Sequence, residues 1–187
     1  MARIGARLGL LAPLVVGVAA LAACSTSGAE RFAGPPPVVA GIVDAHNRVR
    51  AKATPRPQPP LPSLAWSRSA AEVARAYAAK CKFRHNSSRG PYGENLFAMS
   101  DHQTTAVVVP AAIRSWSSEA ADYDLVRNAC KKSKVCGHYT QMIWRDTRHV
   151  GCAIQHCDKG APFGSGPWTL VVCNYAPPGN VSGRKPY

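Results

Sequence analysis

The chain of 187 residues carries 23 Lys+Arg against 10 Asp+Glu, a net charge of +13, and seven cysteines. Behind its N-terminal segment this length suits a single domain, and the chain carries no internal repeat. Six cysteines plus one read as the disulfide framework of an exported chain and argue against a reducing compartment.

The apolar run Leu8–Leu21 follows Arg3 and Arg7. It matches the apolar core of a signal peptide and falls short of the roughly 20 residues that a spanning helix needs. Leu21-Ala22-Ala23-Cys24 resembles the lipobox of bacterial lipoproteins, whose cysteine is acylated and becomes the first residue of the mature chain. Residues 1–24 are therefore expected to be a lipoprotein signal peptide, with lipidation at Cys24 as the membrane anchor. Residues 25–37, small and polar and ending in Pro35-Pro36-Pro37, are expected to form a flexible tether to a domain over 38–187.

Removing residues 1–24 takes away Arg3 and Arg7, which leaves 21 basic residues against 10 acidic ones, a net +11. The basic residues are scattered, with Lys131-Lys132-Ser133-Lys134 the one short run. In an exported chain this excess points to anionic lipid headgroups or envelope polymers, and no nucleic-acid partner is expected.

Within the domain, Val39, Ile42, Val43, Ala45 and Val49 give residues 38–52 an amphipathic helical pattern, which stops before the Pro-rich stretch Thr54–Pro62. Ser67 or Ser69 caps a second helix with Ala70, Ala74, Tyr77 and Cys81 on one face. Thr104 or Thr105 opens a third, with Val109, Ala112, Ile113, Trp116 and Ala120 as its buried stripe and Pro110 in its first turn or at a kink. The segments 150–154 and 168–173 are β-branched and aromatic-rich, separated by the Gly/Pro-rich stretch Gly160–Pro167, and read as antiparallel neighbours. Helices first and strands later predict an α+β fold.

Gly137-His138-Tyr139-Thr140-Gln141-Met142-Ile143-Trp144 and Cys173-Asn174-Tyr175-Ala176-Pro177-Pro178-Gly179-Asn180 closely resemble the two signature segments of the CAP superfamily. Further matches follow in register: His46-Asn47 with Arg50, Trp66, His85-Asn86, Gly93-Glu94-Asn95-Leu96, Trp116 with Glu119, and Thr147 with Val150-Gly151-Cys152. The superfamily comprises the cysteine-rich secretory, antigen 5 and plant pathogenesis-related group-one proteins. Membership implies a disulfide-stapled three-layer α-β-α sandwich. Analogy with the plant subgroup implies the bridges Cys81–Cys157, Cys130–Cys136 and Cys152–Cys173, a choice that spacing alone cannot make among fifteen pairings.

The resemblance also brings His85, Glu94, Glu119 and His138 into one cleft. Two imidazoles and a carboxylate with room for water suit a divalent cation, zinc first, with His85 and His138 as ligands and Glu94 and Glu119 behind them or bridged by water. The alternative is a metal-free hydrogen-bonded tetrad. The implied function is a secreted or surface-anchored monomeric binding protein that takes a cation in the cleft and a lipid, sterol or anionic envelope component as partner. Catalysis is not expected, because neither a His-Glu-x-x-His helix nor a Gly-x-Ser-x-Gly elbow is present. Were the chain a metal-dependent hydrolase of the envelope, Glu94 and Glu119 would be its catalytic residues. A third reading is a signalling or host-interaction protein, because Pro177–Tyr187 resembles the C-terminal peptide released from plant relatives; packing of this tail on the core is the expected alternative. The stretches Thr54–Pro62 and Gly160–Pro167 are longer than in the plant pattern.

Overall fold

The computed structural model describes Met1, Ala2, Gly5 and residues 34–187. Cys24, the lipobox and most of the expected tether lie outside the described residues. The chain divides into a unit Met1–Phe32 and a unit Ala33–Tyr187. The second holds two large hydrophobic cores, a smaller third cluster and three disulfides, as a domain that folds on its own requires. Among the described residues no helix is long and apolar enough to cross a membrane.

In chain order the elements are α1 (Ile42–Ala51), β1 (Ala65–Trp66), α2 (Arg68–Ala78), β2 (Gly93–Ser100), α3 (Thr105–Ser118), β3 (Tyr123–Asp124), β4 (Ala129–Cys130), α4 (Gly137–Met142), β5 (His149–Cys157) and β6 (Trp168–Ala176). The main sheet has the order β1-β5-β6-β2, antiparallel except for the β1–β5 pair, and β3–β4 form a separate hairpin.

β6 explains the layering. It is buried along nearly its whole length, and successive side chains of a strand point to opposite faces. Trp168, Leu170 and Val172 enter a core with Ala74, Tyr77 and Ala78 of α2. Val171, Cys173 and Tyr175 enter the other core, with Ile42 and Ala45 of α1 and Val108, Val109, Ala112, Ile113 and Trp116 of α3. One helix covers one face of the sheet and the remaining helices the other, which is the α-β-α sandwich.

Ser67 caps α2, its hydroxyl accepting from the Ala70 amide at 3.2 Å. That helix ends at Ala78, so Cys81 does not share its buried face; it lies beyond a closing turn at φ 48°. Pro110 stands inside α3, in its second turn rather than its first. Ala120 falls in the 3₁₀ turn Glu119–Asp122 and so leaves the predicted helical stripe. β1, β2, the β3–β4 hairpin and α4 are additions to the predicted elements, and both predicted strands run longer.

Three disulfides are present, Cys81–Cys157, Cys130–Cys136 and Cys152–Cys173, the same pairs that the plant resemblance implies. Cys152 and Cys173 face each other across β5 and β6. Cys81–Cys157 fastens the chain after α2 to the end of β5 and closes the longest loop, 76 residues, so it limits the unfolded ensemble most.

Gly151 sets how closely α2 approaches the sheet. A Cβ at this position would lie 2.2 Å from the Ala71 amide nitrogen and 2.3 Å from the Ser67 carbonyl oxygen. Both neighbours are backbone, so no side chain can yield. Gly151→Ala is expected to cost about 2–3 kcal/mol in thermal or chemical denaturation of the oxidised domain, because α2 must lift from the sheet. Gly34→Ala, with nothing within 4 Å, is expected to leave the transition unmoved.

Candidate functional site

The first half of the site is built at the start of β2. Glu94 is its second residue, with a side chain only 1% exposed beside a His85 ring that is 60% exposed. Its Oε1 lies 2.8 Å from His85 Nδ1 and accepts from the Asn86 amide at 2.9 Å. This oxygen accepts, so Nδ1 donates to it, an arrangement that in the neutral ring leaves the lone pair on Nε2. Glu94 Oε2 is buried and has no protein partner. An orphaned buried carboxylate oxygen costs free energy unless a water or ligand meets it.

The second half joins the end of α3 to the start of α4. Glu119, the first residue after α3, accepts from the amides of His138 at 2.9 Å and Tyr139 at 3.0 Å through Oε2, and its Oε1 lies 2.6 Å from His138 Nδ1. The carboxylate thus caps the first turn of α4 and fixes the imidazole on that turn. The His138 ring, 27% exposed, stacks on Trp116 with centroids 6.3 Å apart. Trp116 is in turn held by its indole N–H, which donates to the Leu96 carbonyl at 2.9 Å.

A buried uncharged relay supports this half from behind. Asn95 Nδ2 donates to the His138 carbonyl and to the Tyr175 hydroxyl, both at 3.1 Å. The Tyr175 hydroxyl meets His46 Nε2 at 2.8 Å, and His46 Nδ1 meets the Ile42 carbonyl at 2.8 Å. A carbonyl only accepts, so His46 carries its proton on Nδ1 and takes the Tyr175 proton on Nε2. Burial pushes His46 down to about 4 and Tyr175 well above its ordinary value of 10. Both stay neutral near pH 7. The sequence marked His46, Asn95 and Tyr175 as landmarks without a role; the available signal was His46 on the buried face of α1, four residues after Ile42.

The two signature segments meet at Gln141. Its Oε1 accepts from the Gly179 amide at 2.9 Å, and its Nε2 donates to Thr147 Oγ1 at 3.3 Å. A Cβ on Gly93 would lie 2.0 Å from Gln141 Oε1, and one on Gly179 2.8 Å from Gln141 Nε2 and the Trp144 ring. The C-terminal tail continues over the surface. Pro186 is buried and its carbonyl accepts from the Arg145 amide at 2.7 Å, while the Tyr187 hydroxyl donates to the Pro55 carbonyl at 2.9 Å.

The four expected site residues therefore form two His–Glu pairs. No grouping of three His, Cys, Asp or Glu side chains set to hold a metal occurs among the described residues. The pairs do offer a donor set that fits a cation: each imidazole has Nδ1 engaged by a carboxylate and Nε2 free, the usual preparation of a ligating histidine. Both oxygens of Glu119 and one of Glu94 accept from N–H groups, so both carboxylates orient the imidazole beside them.

The profile of the cysteine-rich secretory protein (CAP) family matches residues 43–175. Peptidase inhibitor 16 of Mus musculus is 41% identical over 146 residues, covering 78% of this chain and 28% of the mouse protein; the chain thus spans under a third of that relative. Pathogenesis-related protein 1 of Arabidopsis thaliana is 40% identical over 149 residues, covering 78% of this chain and 80% of the plant protein. Among solved structures, NaASP2 with Zn²⁺ superposes with a TM-score of 0.64 at 24% identity, covering 83% of this chain and 90% of the other.

Stability is expected to fall on acidification through His46. The unfolded imidazole takes a proton near pH 6.5 and the folded one only near 4, so between these values the unfolded state binds more protons. The contribution of the neutral ring is complete above 6.5 and is lost as pH falls towards 4, about 3 kcal/mol in all. Denaturant titrations at pH 7 and pH 4 measure it, and a His46→Asn variant is expected to lack this part of the slope.

Proposed function

The chain belongs to the CAP family, and on that footing we propose that it is an exported binding protein, anchored at the envelope surface through Cys24, whose His/Glu cleft takes a divalent cation. The observation that carries the reading is the pair of imidazoles with Nδ1 held by a carboxylate and Nε2 free at His85 and His138. His85 and His138 are the ligands, and Glu94 and Glu119 fix their tautomers and directions. Zinc is the first candidate, because imidazole nitrogen suits it and a relative in fold was solved with Zn²⁺. A bound cation would supply a positive centre able to hold an anionic or carbonyl oxygen of a ligand.

The use of the carboxylates supports binding over turnover: Glu119 is engaged by three N–H groups and the unpartnered oxygen of Glu94 is buried. The three disulfides suit an oxidising compartment. The excess of basic residues makes an anionic lipid or envelope component the favoured partner.

Native mass spectrometry of the oxidised domain, residues 34–187, tests the cleft. A zinc-sized adduct is expected on the wild type after incubation with Zn²⁺ and is expected to vanish in His85→Ala/His138→Ala. Glu119→Gln should weaken the adduct roughly 10–100-fold, as loss of a group orienting a ligand does. An adduct kept in the double variant would put the metal elsewhere and overturn the assignment.

A further inference from the structure

The tether enters the domain beside a groove that the cation reading leaves unused. This groove, about 740 Å³, runs between the outer sides of α1 and α3. Its floor is apolar, with Val109 and Ile113. Three cations line it, Arg48 and Lys52 from α1 and Arg114 from α3, and all three are exposed. No Asp or Glu belongs to the lining among the described residues. Asp44 is the acidic residue of α1 and stands one turn before Arg48, outside the groove. Pro37, the last residue of the expected tether, lines the groove as well.

We infer that this face is where the domain rests on the anionic lipid leaflet that holds its anchor. The inference rests on the proposed acylation of Cys24. From Cys24 to Pro37 the chain runs 13 residue steps, at most about 45 Å when fully extended. A flexible chain of that length has a mean span of only about 20 Å. Pro37 lines the α1–α3 groove, while Gly34 and Pro36 line a second groove against α2 and β5, so the tether keeps both within reach of the headgroups. The second carries Glu72 among its cations, and the described lining of the first carries no acidic residue. Phosphate groups carry the charge that the three cations lack in the protein, and each basic residue near such a surface adds to the attraction. The linkage is one of geometry: an anchor at one end of a short tether, and at the other end a cationic groove whose described lining holds no acidic group.

Vesicle co-sedimentation of the unacylated domain, residues 34–187, tests the face separately from the anchor. The wild type is expected to bind phosphatidylcholine vesicles containing phosphatidylglycerol, to bind pure phosphatidylcholine far less, and to be released by salt. The variant Arg48→Glu/Lys52→Glu/Arg114→Glu is expected to lose at least ~10-fold in partition. A control with the same change in net charge, Lys82→Glu/Lys132→Glu/Lys185→Glu, is expected to lose clearly less. All six side chains are exposed, and an unchanged thermal transition confirms that each variant is folded. Equal loss in both variants would reduce the effect to net charge and overturn the inference; so would absence of wild-type binding. The mass of the mature N-terminus reports the acylation itself, so a failed anchor and a failed face give different results.

Discussion

The carrier of His138 is a helix of six residues, and it depends on a charge at each end. Isolated helices of this length do not form in water, because nucleation costs more than one turn of hydrogen bonds returns. Glu119 accepts the first-turn amides of α4. At the other end the buried guanidinium of Arg50 donates to the carbonyls of Met142 at 2.8 Å and Trp144 at 2.9 Å, and also to Pro62 and Thr147. The anion is at the amide end and the cation at the carbonyl end, each opposed to the helix partial charge it meets. Burial lowers Arg50 to about 10, which still leaves it charged at neutral pH. Without either partner, buried backbone groups would be stranded and the imidazole would lose its direction.

The same helix ties the rest of the molecule together. Arg50 belongs to α1, Glu119 follows α3 and Asn95 belongs to β2, and all three bond to α4 or its flanks, while Tyr175 of β6 supports it through Asn95. Gln141 adds the tail through Gly179 and excludes any side chain at Gly93. The His138–Glu119 pair is thus a consequence of how α4 is seated, through these polar contacts together with the buried Tyr139, Met142 and Ile143. On the opposite face, α2 is seated by small residues: Ala70 and Ala74 are fully buried, and Gly151 lets the helix backbone reach the strand. That face fixes the sheet while the polar face fixes the chemistry.

Three helices and the central strand pair were legible because their signals are local. Ser67 announces a cap, and the Val109, Ala112, Ile113 and Trp116 spacing announces a buried stripe. β2 was opaque for a physical reason: Glu94 and Asn95 interrupt any alternation, since at this edge strand both faces carry polar groups engaged in the site. α4 was opaque as a helix because its stability lies in Arg50 and Glu119, far away in sequence. The break at Ala78 was missed because Cys81, whose spacing fits the helical face, does pack against the α2 core, but from beyond the helix end at a positive φ. The site residues themselves were read from resemblance; no spacing rule joins 85, 94, 119 and 138.

The division of the four residues into two pairs also decides what kind of cleft this is. A carboxylate that holds an imidazole by Nδ1 raises the basicity of Nε2 and removes one of the two directions from which the ring can bind. At His138 that direction is fixed twice over, by Glu119 in the ring plane and by Trp116 across its face. At His85 it is fixed only by Glu94, and the ring is largely exposed. The two nitrogens are therefore held unequally: His138 is fixed on two sides within a partly buried setting, whereas His85 is held by one carboxylate and its ring is open to solvent.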